Sequence, residues 1–252
     1  MKKIFYLFFL MLSVTLFSEA ATRGDVKVIE SSEDIRYLSQ KIVKDYLFLY
    51  DNPKKREVKN ELYSLLNKLS DDLRVIVMTT KDSDTKDILE FLAYSKDQIK
   101  ELFDQKTDKE KAALMLDYSE TLLEGADSIA KAHMYDFSNE EKMLMVTKEI
   151  EYLLERITKY YMAFNVGFNT PINKEQMDES IKRLEENLEK INGYNYPYDM
   201  QKKQKDLQRF WAVNKYFFQK TKTLFIPNLL LDSIDSLEKL VADIALYHSK
   251  NQ

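Results

Sequence analysis

After about the first twenty residues, apolar side chains recur at three- and four-residue steps, and no window alternates in the manner of a strand. Only 4 of the 252 residues are glycine and 4 are proline, so breaks are few and the segments between them are long. A chain of this kind is constrained to helices that bury apolar stripes against one another. The first predicted helix runs over 32–50, with Ile35, Leu38, Ile42, Tyr46 and Leu49 on one face. Asp51-Asn52-Pro53 ends it, because proline lacks the donor and disfavours helix just before it. A second, over 55–78, presents Val58, Leu62, Leu65, Leu69 and Leu73, and a third presents Ile88, Leu92, Ser95, Ile99 and Leu102. Thr107 with Glu110 reads as a capping box opening a fourth, which carries Leu114, Tyr118, Leu122, Ala126, Ile129 and His133. Gly125 inside that helix costs about 1 kcal/mol relative to alanine, so a close neighbouring helix or a kink is expected there. The reading is all-α, an antiparallel four-helix bundle with short connections.

Composition narrows the function. With no cysteine there are no disulfides, iron–sulfur clusters, thiolate zinc sites or thiol nucleophiles. Four glycines supply neither a dinucleotide fingerprint nor a phosphate loop, and neither motif occurs. Lys+Arg number 38 against 42 Asp+Glu, a formal charge of −4, without the basic stripe of a nucleic-acid binder. No nucleophile motif is present and the carboxylates are dispersed as helix-surface charges, so no catalytic residue, cofactor or metal is assigned. The two histidines, His133 and His248, lack the Glu-x-x-His spacing of a carboxylate-bridged metal bundle and are read as helix-terminal packing or capping residues.

The N-terminus reads as an export signal over 1–20. Lys2 and Lys3 precede an apolar run from Ile4 to Phe17, and Ser18-Glu19-Ala20 places small residues where a signal peptidase reads. The run is short for a bilayer span, which makes an uncleaved anchor the lesser alternative. The expected location is the periplasm, with a linker at 21–30.

The second half repeats the first. Ser138 with Glu141 forms a capping box that opens a long helix to about Val166. Within it Ile150, Leu153, Ile157, Tyr161 and Phe164 repeat the spacing of the first helix at an offset of 115 residues. Over Ile35–Tyr46 and Ile150–Tyr161, six of twelve positions are identical, and identity says more than periodicity, which any two amphipathic helices share. Thr170-Pro171 punctuates as Asn52-Pro53 does, and His248 lies 115 residues after His133. Asp206, Phe210 and Ala212 answer Asp87, Phe91 and Ala93 if the stretch from Gly193 to Asp199 holds an insertion. Two tandem modules are therefore expected, 31–136 and a diverged 137–252, either as separate four-helix bundles or as shares of one elongated bundle.

The run Arg36-Tyr37-Leu38-Ser39-Gln40-Lys41 resembles the Arg-Met-Leu-Ser-Gln-Arg pattern that opens the sensor domain of type IV pilus chemotaxis transducers. These are the PilJ-type domains, related to the nitrate-sensing domain of NarX-type histidine kinases. Tyr37 stands in place of the methionine, and the second repeat has Glu151 and Leu154 where arginine and serine belong. The resemblance implies a periplasmic sensor module that holds a small ligand, an anion in the nitrate-sensing branch, and relays to a membrane-bound signalling partner. It places the ligand at Arg36, near a helix start, with Ser39 adding a hydroxyl one turn on. The relatives carry membrane spans and signalling domains that this sequence does not, so a sensor module exported by itself is expected. Relatives pair as dimers; here a homodimer and internal pairing of the two repeats are both open, and internal pairing would set Arg36 against Glu151. A solvated Arg36 beside Glu33 and Asp34 is the plainer alternative.

Gly193-Tyr194-Asn195-Tyr196-Pro197-Tyr198 is a second candidate, since three tyrosines in one loop cannot all be core. Tyr194, Tyr196 and Tyr198 form either a recognition surface or a plug on the bundle end. The rival to the sensor is thus a structural or adaptor protein of the envelope, binding a protein partner through helix faces and this loop. Trp211, Phe210, Tyr216 and Phe217 read as packing residues.

Overall fold

A computed structural model describes residues 23–221 and 225–252; the expected export signal lies outside them. Among the described residues eight helices follow one another: α1 (Arg23–Asp51), α2 (Arg56–Thr79), α3 (Ser83–Asp104), α4 (Lys109–Ala132), α5 (Asn139–Asn165), α6 (Pro171–Gly193), α7 (Tyr198–Gln219) and α8 (Pro227–Lys250). Among the described residues there is no strand, and the protein is an all-α helical bundle.

The starts are fixed by local chemistry. Asp82 accepts from the Thr85 amide (2.6 Å), Asp108 from Lys111 (2.9 Å) and Thr170 from Asn173 (3.1 Å). At α5 the capping box is complete: Ser138 Oγ accepts from the Glu141 amide, and the Glu141 carboxylate accepts from the Ser138 amide. Pro171 and Pro227 begin α6 and α8, where no intrahelical donor is needed. Three expectations are corrected. The described part of α1 begins at Arg23, so 23–30 belong to the helix and form no linker. Asp108, one residue beyond Thr107, caps α4; its carboxylate accepts from the Lys111 amide, and aspartate is the stronger capping residue. Leu114 is exposed and Tyr118 half-buried, because Met115, Ser119, Leu122 and Ala126 form the inward stripe of α4.

Helices α1–α4 pack in cyclic order, each against its chain neighbours and α4 back on α1; α5–α8 do the same. The two four-helix units join along α1 and α5, which lie side by side and parallel. Lys148 of α5 reaches Asp34 of α1, and further along Glu155 reaches Lys44. Gly125 makes the expected close approach: a Cβ there would sit 2.5 Å from Leu92 Cδ2 of α3.

Both units follow one plan at the side-chain level. His133 at the end of α4 sets Nδ1 2.9 Å from Asp25 near the start of α1; His248 at the end of α8 sets Nδ1 2.6 Å from Glu140 at the start of α5. Both partners are offset by 115. In each case Nε2 faces hydroxyls of the connection between the second and third helices: Thr85 in α3 and Thr80 before it in one unit, Tyr196 (2.7 Å) in the other. Lys68 with Asp34 and Arg183 with Glu149 repeat at the same offset. The α7 start lies 115 residues after the α3 start. The connection 194–197 is only one residue longer than 80–82, so the insertion posited there is not needed.

These histidines therefore lace a bundle end, joining the first and fourth helices of a unit. His248→Ala is expected to cost about 2 kcal/mol, because it removes the partner of Glu140 Oε2 and of the buried Tyr196 hydroxyl, leaving Glu140 only its bond from Tyr194. His133→Ala, at a partly exposed site with weaker hydroxyl contacts, is expected to cost about half as much. Urea unfolding of both variants measures the difference.

Candidate functional site

The seam between the units is charged. Helices α1 and α5 are buried on nearly every side, so residues that look like a polar face in sequence lie inside. Lys44 is 3% exposed, Glu155 and Lys159 0%. The Lys44 ammonium lies 2.9 Å from Glu155 and 3.4 Å from Asp45, and Lys41 lies 3.2 Å from Glu155. Glu238 of α8 joins them: it accepts from the Tyr37 hydroxyl (3.3 Å) and is hydrogen-bonded to Glu155. Burial pushes the Glu155 carboxyl up, but Lys44 and Lys41 outweigh it and bring the group to about 2. Burial and then the Glu155 charge push Glu238 up to about 9. One carboxylate and one carboxylic acid sharing a proton is the consequence, as two buried carboxylates in contact cannot both ionise. Burial likewise pushes Asp45 up to about 6. On the opposite flank Lys159, drawn down to about 8 by burial against the pull of Glu120, donates to Ser119 and Glu120 of α4.

Two grooves flank the seam, and the repeat relates them. The α4/α6 groove holds a cavity of about 250 Å³ lined by Glu33, Arg36, Asp127, Glu149 and Arg183 together with Ile29, Met134, Phe137, Met145 and Val146. The α2/α8 groove holds one of about 440 Å³ lined by Asp34, Tyr37, Lys41, Lys68, Lys148, Glu151, Asp235, Glu238, Lys239 and Ala242. Asp34 answers Glu149 and Lys68 answers Arg183, whereas the pair Glu33–Arg36 is reversed as Lys148–Glu151. The grooves therefore share a frame and differ in the sign of charge at two positions.

The sequence candidates fall into this frame with corrections. Arg36 is buried, not solvated, and lies in the α4/α6 groove while Glu151 lines the other, so the two do not pair. Its guanidinium donates to both oxygens of Glu33 (2.7 and 2.8 Å), lies 3.8 Å from Asp127 and stacks 4.2 Å over the Tyr152 ring. Because α1 begins well before it, Arg36 has no helix N-terminus beside it and no unpaired amides to lend to an anion. Ser39 is fully buried, donating to the Arg36 carbonyl (2.7 Å) and accepting from Gln40, so it faces no groove. Of the loop tyrosines, Tyr196 is buried against His248 and Tyr194 donates to Glu140. Tyr198 alone of the three is exposed, at 91%. The loop is a plug. Among the described residues no group of three or more acidic or histidine side chains is placed to hold a metal.

Sequence reasoning missed the seam lysines and glutamates. One signal pointed to them: of the six identities between Ile35–Tyr46 and Ile150–Tyr161, the single charged one is Lys44 with Lys159, and both are buried.

Comparison with family models, with curated proteins and with solved structures finds no match for the chain.

Proposed function

We propose that this protein is an exported, non-catalytic binding protein of the PilJ and NarX sensor kind, whose ligand sits at the seam between two four-helix units and shifts one against the other. A membrane-bound signalling partner would read that shift. The single observation that carries the reading is the seam itself: inside one apolar core that runs through both units, buried lysines and carboxyl groups meet between α1 and α5. Buried ion pairs add little net stability over apolar packing, but they tie geometry to charge. A ligand that alters the charge balance in a flanking groove therefore makes different contacts with the alternative settings of the joint, as a shift in population requires. The charged sign reversal between the grooves favours a ligand on one side, which also makes a second copy of the chain unnecessary for the pairing seen in relatives.

The rival adaptor reading rests on helix faces and the tyrosine loop, and two of the loop's three rings are engaged inside the chain. A small-molecule melting screen is the test, because a ligand that binds the folded form raises the melting temperature. Distances between spin labels at Tyr94→Cys on α3 and Tyr216→Cys on α7, both exposed positions, then report the joint. The reading expects a ligand that raises the melting temperature and changes the distance. A chain indifferent to every small molecule, yet recovered with an envelope protein after crosslinking, would be an adaptor.

A further inference from the structure

The α2/α8 groove continues beyond its main cavity. An adjoining space of about 210 Å³ shares Lys41 and Asp235 with it and is lined further by Lys44, Asp45, Glu61 and Asp232. Over both spaces, eight carboxyl-bearing residues face six lysines among the described residues, with Glu155 directly beneath. Several of these are committed: Lys68 and Lys148 share Asp34, and Lys41 serves Glu155 and Glu61. Among the described residues Asp235 has no ion pair, and one oxygen of Glu238 is buried with no partner besides the Glu155 carboxyl. The groove thus offers oxygen acceptors in excess of donors.

We propose that the α2/α8 groove takes a small organic ion with a primary ammonium group, its nitrogen held by Glu238 and Asp235 of α8 and by the Tyr37 hydroxyl oxygen of α1. The inference rests on the sensor reading and gives its ligand a chemical class. A primary ammonium suits the site because it presents three donors to three oxygens. A quaternary ammonium wants aromatic faces, and among the described residues the only ring lining the main cavity is Tyr37, over which Lys41 already lies at 5.9 Å.

Proton exchange is the signature. The titratable groups sharing the cavity with Glu238 or lying against it are Asp34, Tyr37, Lys41 and Lys44 of α1, Lys68 of α2, Lys148, Glu151 and Glu155 of α5, and Asp235 and Lys239 on its own helix. Burial, and then the negative charge of Glu155 beside it, keep the proton on Glu238. A cation seated on Glu238 supplies the charge that the proton supplied, and the proton leaves to solvent. At neutral pH each bound ammonium ion is matched by about one released proton.

The experiment is isothermal titration of the chain with putrescine, ethanolamine and γ-aminobutyrate at pH 7, in phosphate and in Tris, with succinate as the anion control. Buffers of different ionisation enthalpy convert proton release into a difference in heat. The expected result is binding of at least one amine with release of about one proton. Glu238→Gln weakens that binding about tenfold or more and abolishes the release. Arg183→Gln, in the opposite groove, leaves both unchanged. Equal heats in the two buffers, full affinity in Glu238→Gln, or no heat with any amine would overturn the inference. If succinate or another ligand without an ammonium group raises the melting temperature while the amines do not, the sensor reading stands and this one falls. Amine binding that depends on Glu238 but leaves the spin-label distance unchanged keeps this one and sinks the relay.

Discussion

Replacing Glu155 and Glu238 together by glutamine is expected to cost about 3 kcal/mol of folding stability, while either replacement alone costs less than about 1 kcal/mol. The contrast follows from the shared proton. In the native chain the pair holds one negative charge, which serves the buried Lys44 and Lys41. With Gln at 155, Glu238 stays buried but loses the neighbouring charge that added to burial in holding its proton; beside Lys41 and Lys44 it then ionises and takes over that charge. With Gln at 238, Glu155 simply keeps it. Each single variant therefore retains one carboxylate and one neutral group. The double variant retains none, and the Lys44 ammonium, 3% exposed, is left with Asp45 at 3.4 Å. Breaking a buried pair by removing one partner costs several kcal/mol; the remaining Asp45 puts this case at the low end. In melting temperature the loss is about 6–12 °C for a chain of this size. A double variant that merely sums two small losses would show that the carboxyls do not act as a unit.

Stability is expected to be greatest near pH 5 and to fall by about 3 kcal/mol between pH 5 and pH 8. The sign comes from where protons are held. Folded Glu238 keeps its proton to about 9, whereas in the unfolded chain it loses it near its ordinary value of 4.5. Between those values the folded state binds more protons, so the Glu238 contribution, full below 4.5, is lost as pH rises through 9. Asp45, held up to about 6, acts in the same direction at the acid end of that window. Glu155, brought down to about 2, is opposite: its contribution is present above 4.5 and is lost as pH falls toward 2. Lys159, drawn down to about 8, offsets the fall only above that pH. One pKa unit corresponds to about 1.4 kcal/mol, and partial compensation elsewhere leaves about 3 kcal/mol across the window. Either single glutamine variant abolishes the shared proton, so both should flatten the slope. Urea unfolding at four pH values decides it, and a native profile already flat from pH 5 to pH 8 would refute the proton-sharing account.

The α1 and α5 stripes illustrate what was readable. Ile35, Leu38, Ile42, Tyr46 and Leu49 are buried as the spacing requires, and so are Ile150, Leu153, Ile157 and Tyr161. Ser138 with Glu141 specified a helix start completely, since a capping box is closed within four residues. The Thr107 assignment missed by one residue because Asp108 offers a competing acceptor next door. Arg36 was legible as a residue of interest but not as a partner of Glu33 and Tyr152, since the stacking ring comes from a helix 116 residues away.

Periodicity and caps made it legible in the sequence that this chain is helical, and the offset of 115 residues gave the expectation of a doubled plan, because those properties arise from contacts a few residues apart or from direct comparison of one segment with another. Which polar residues are inside was settled only by the tertiary structure. Lys44, Glu155 and Lys159 have the same local surroundings as any solvated charge on an amphipathic helix. They are buried because α1 and α5 place their second faces against each other, and that meeting is between residues more than a hundred positions apart. The free energy of a buried charge depends on what surrounds it in space, which no local pattern encodes.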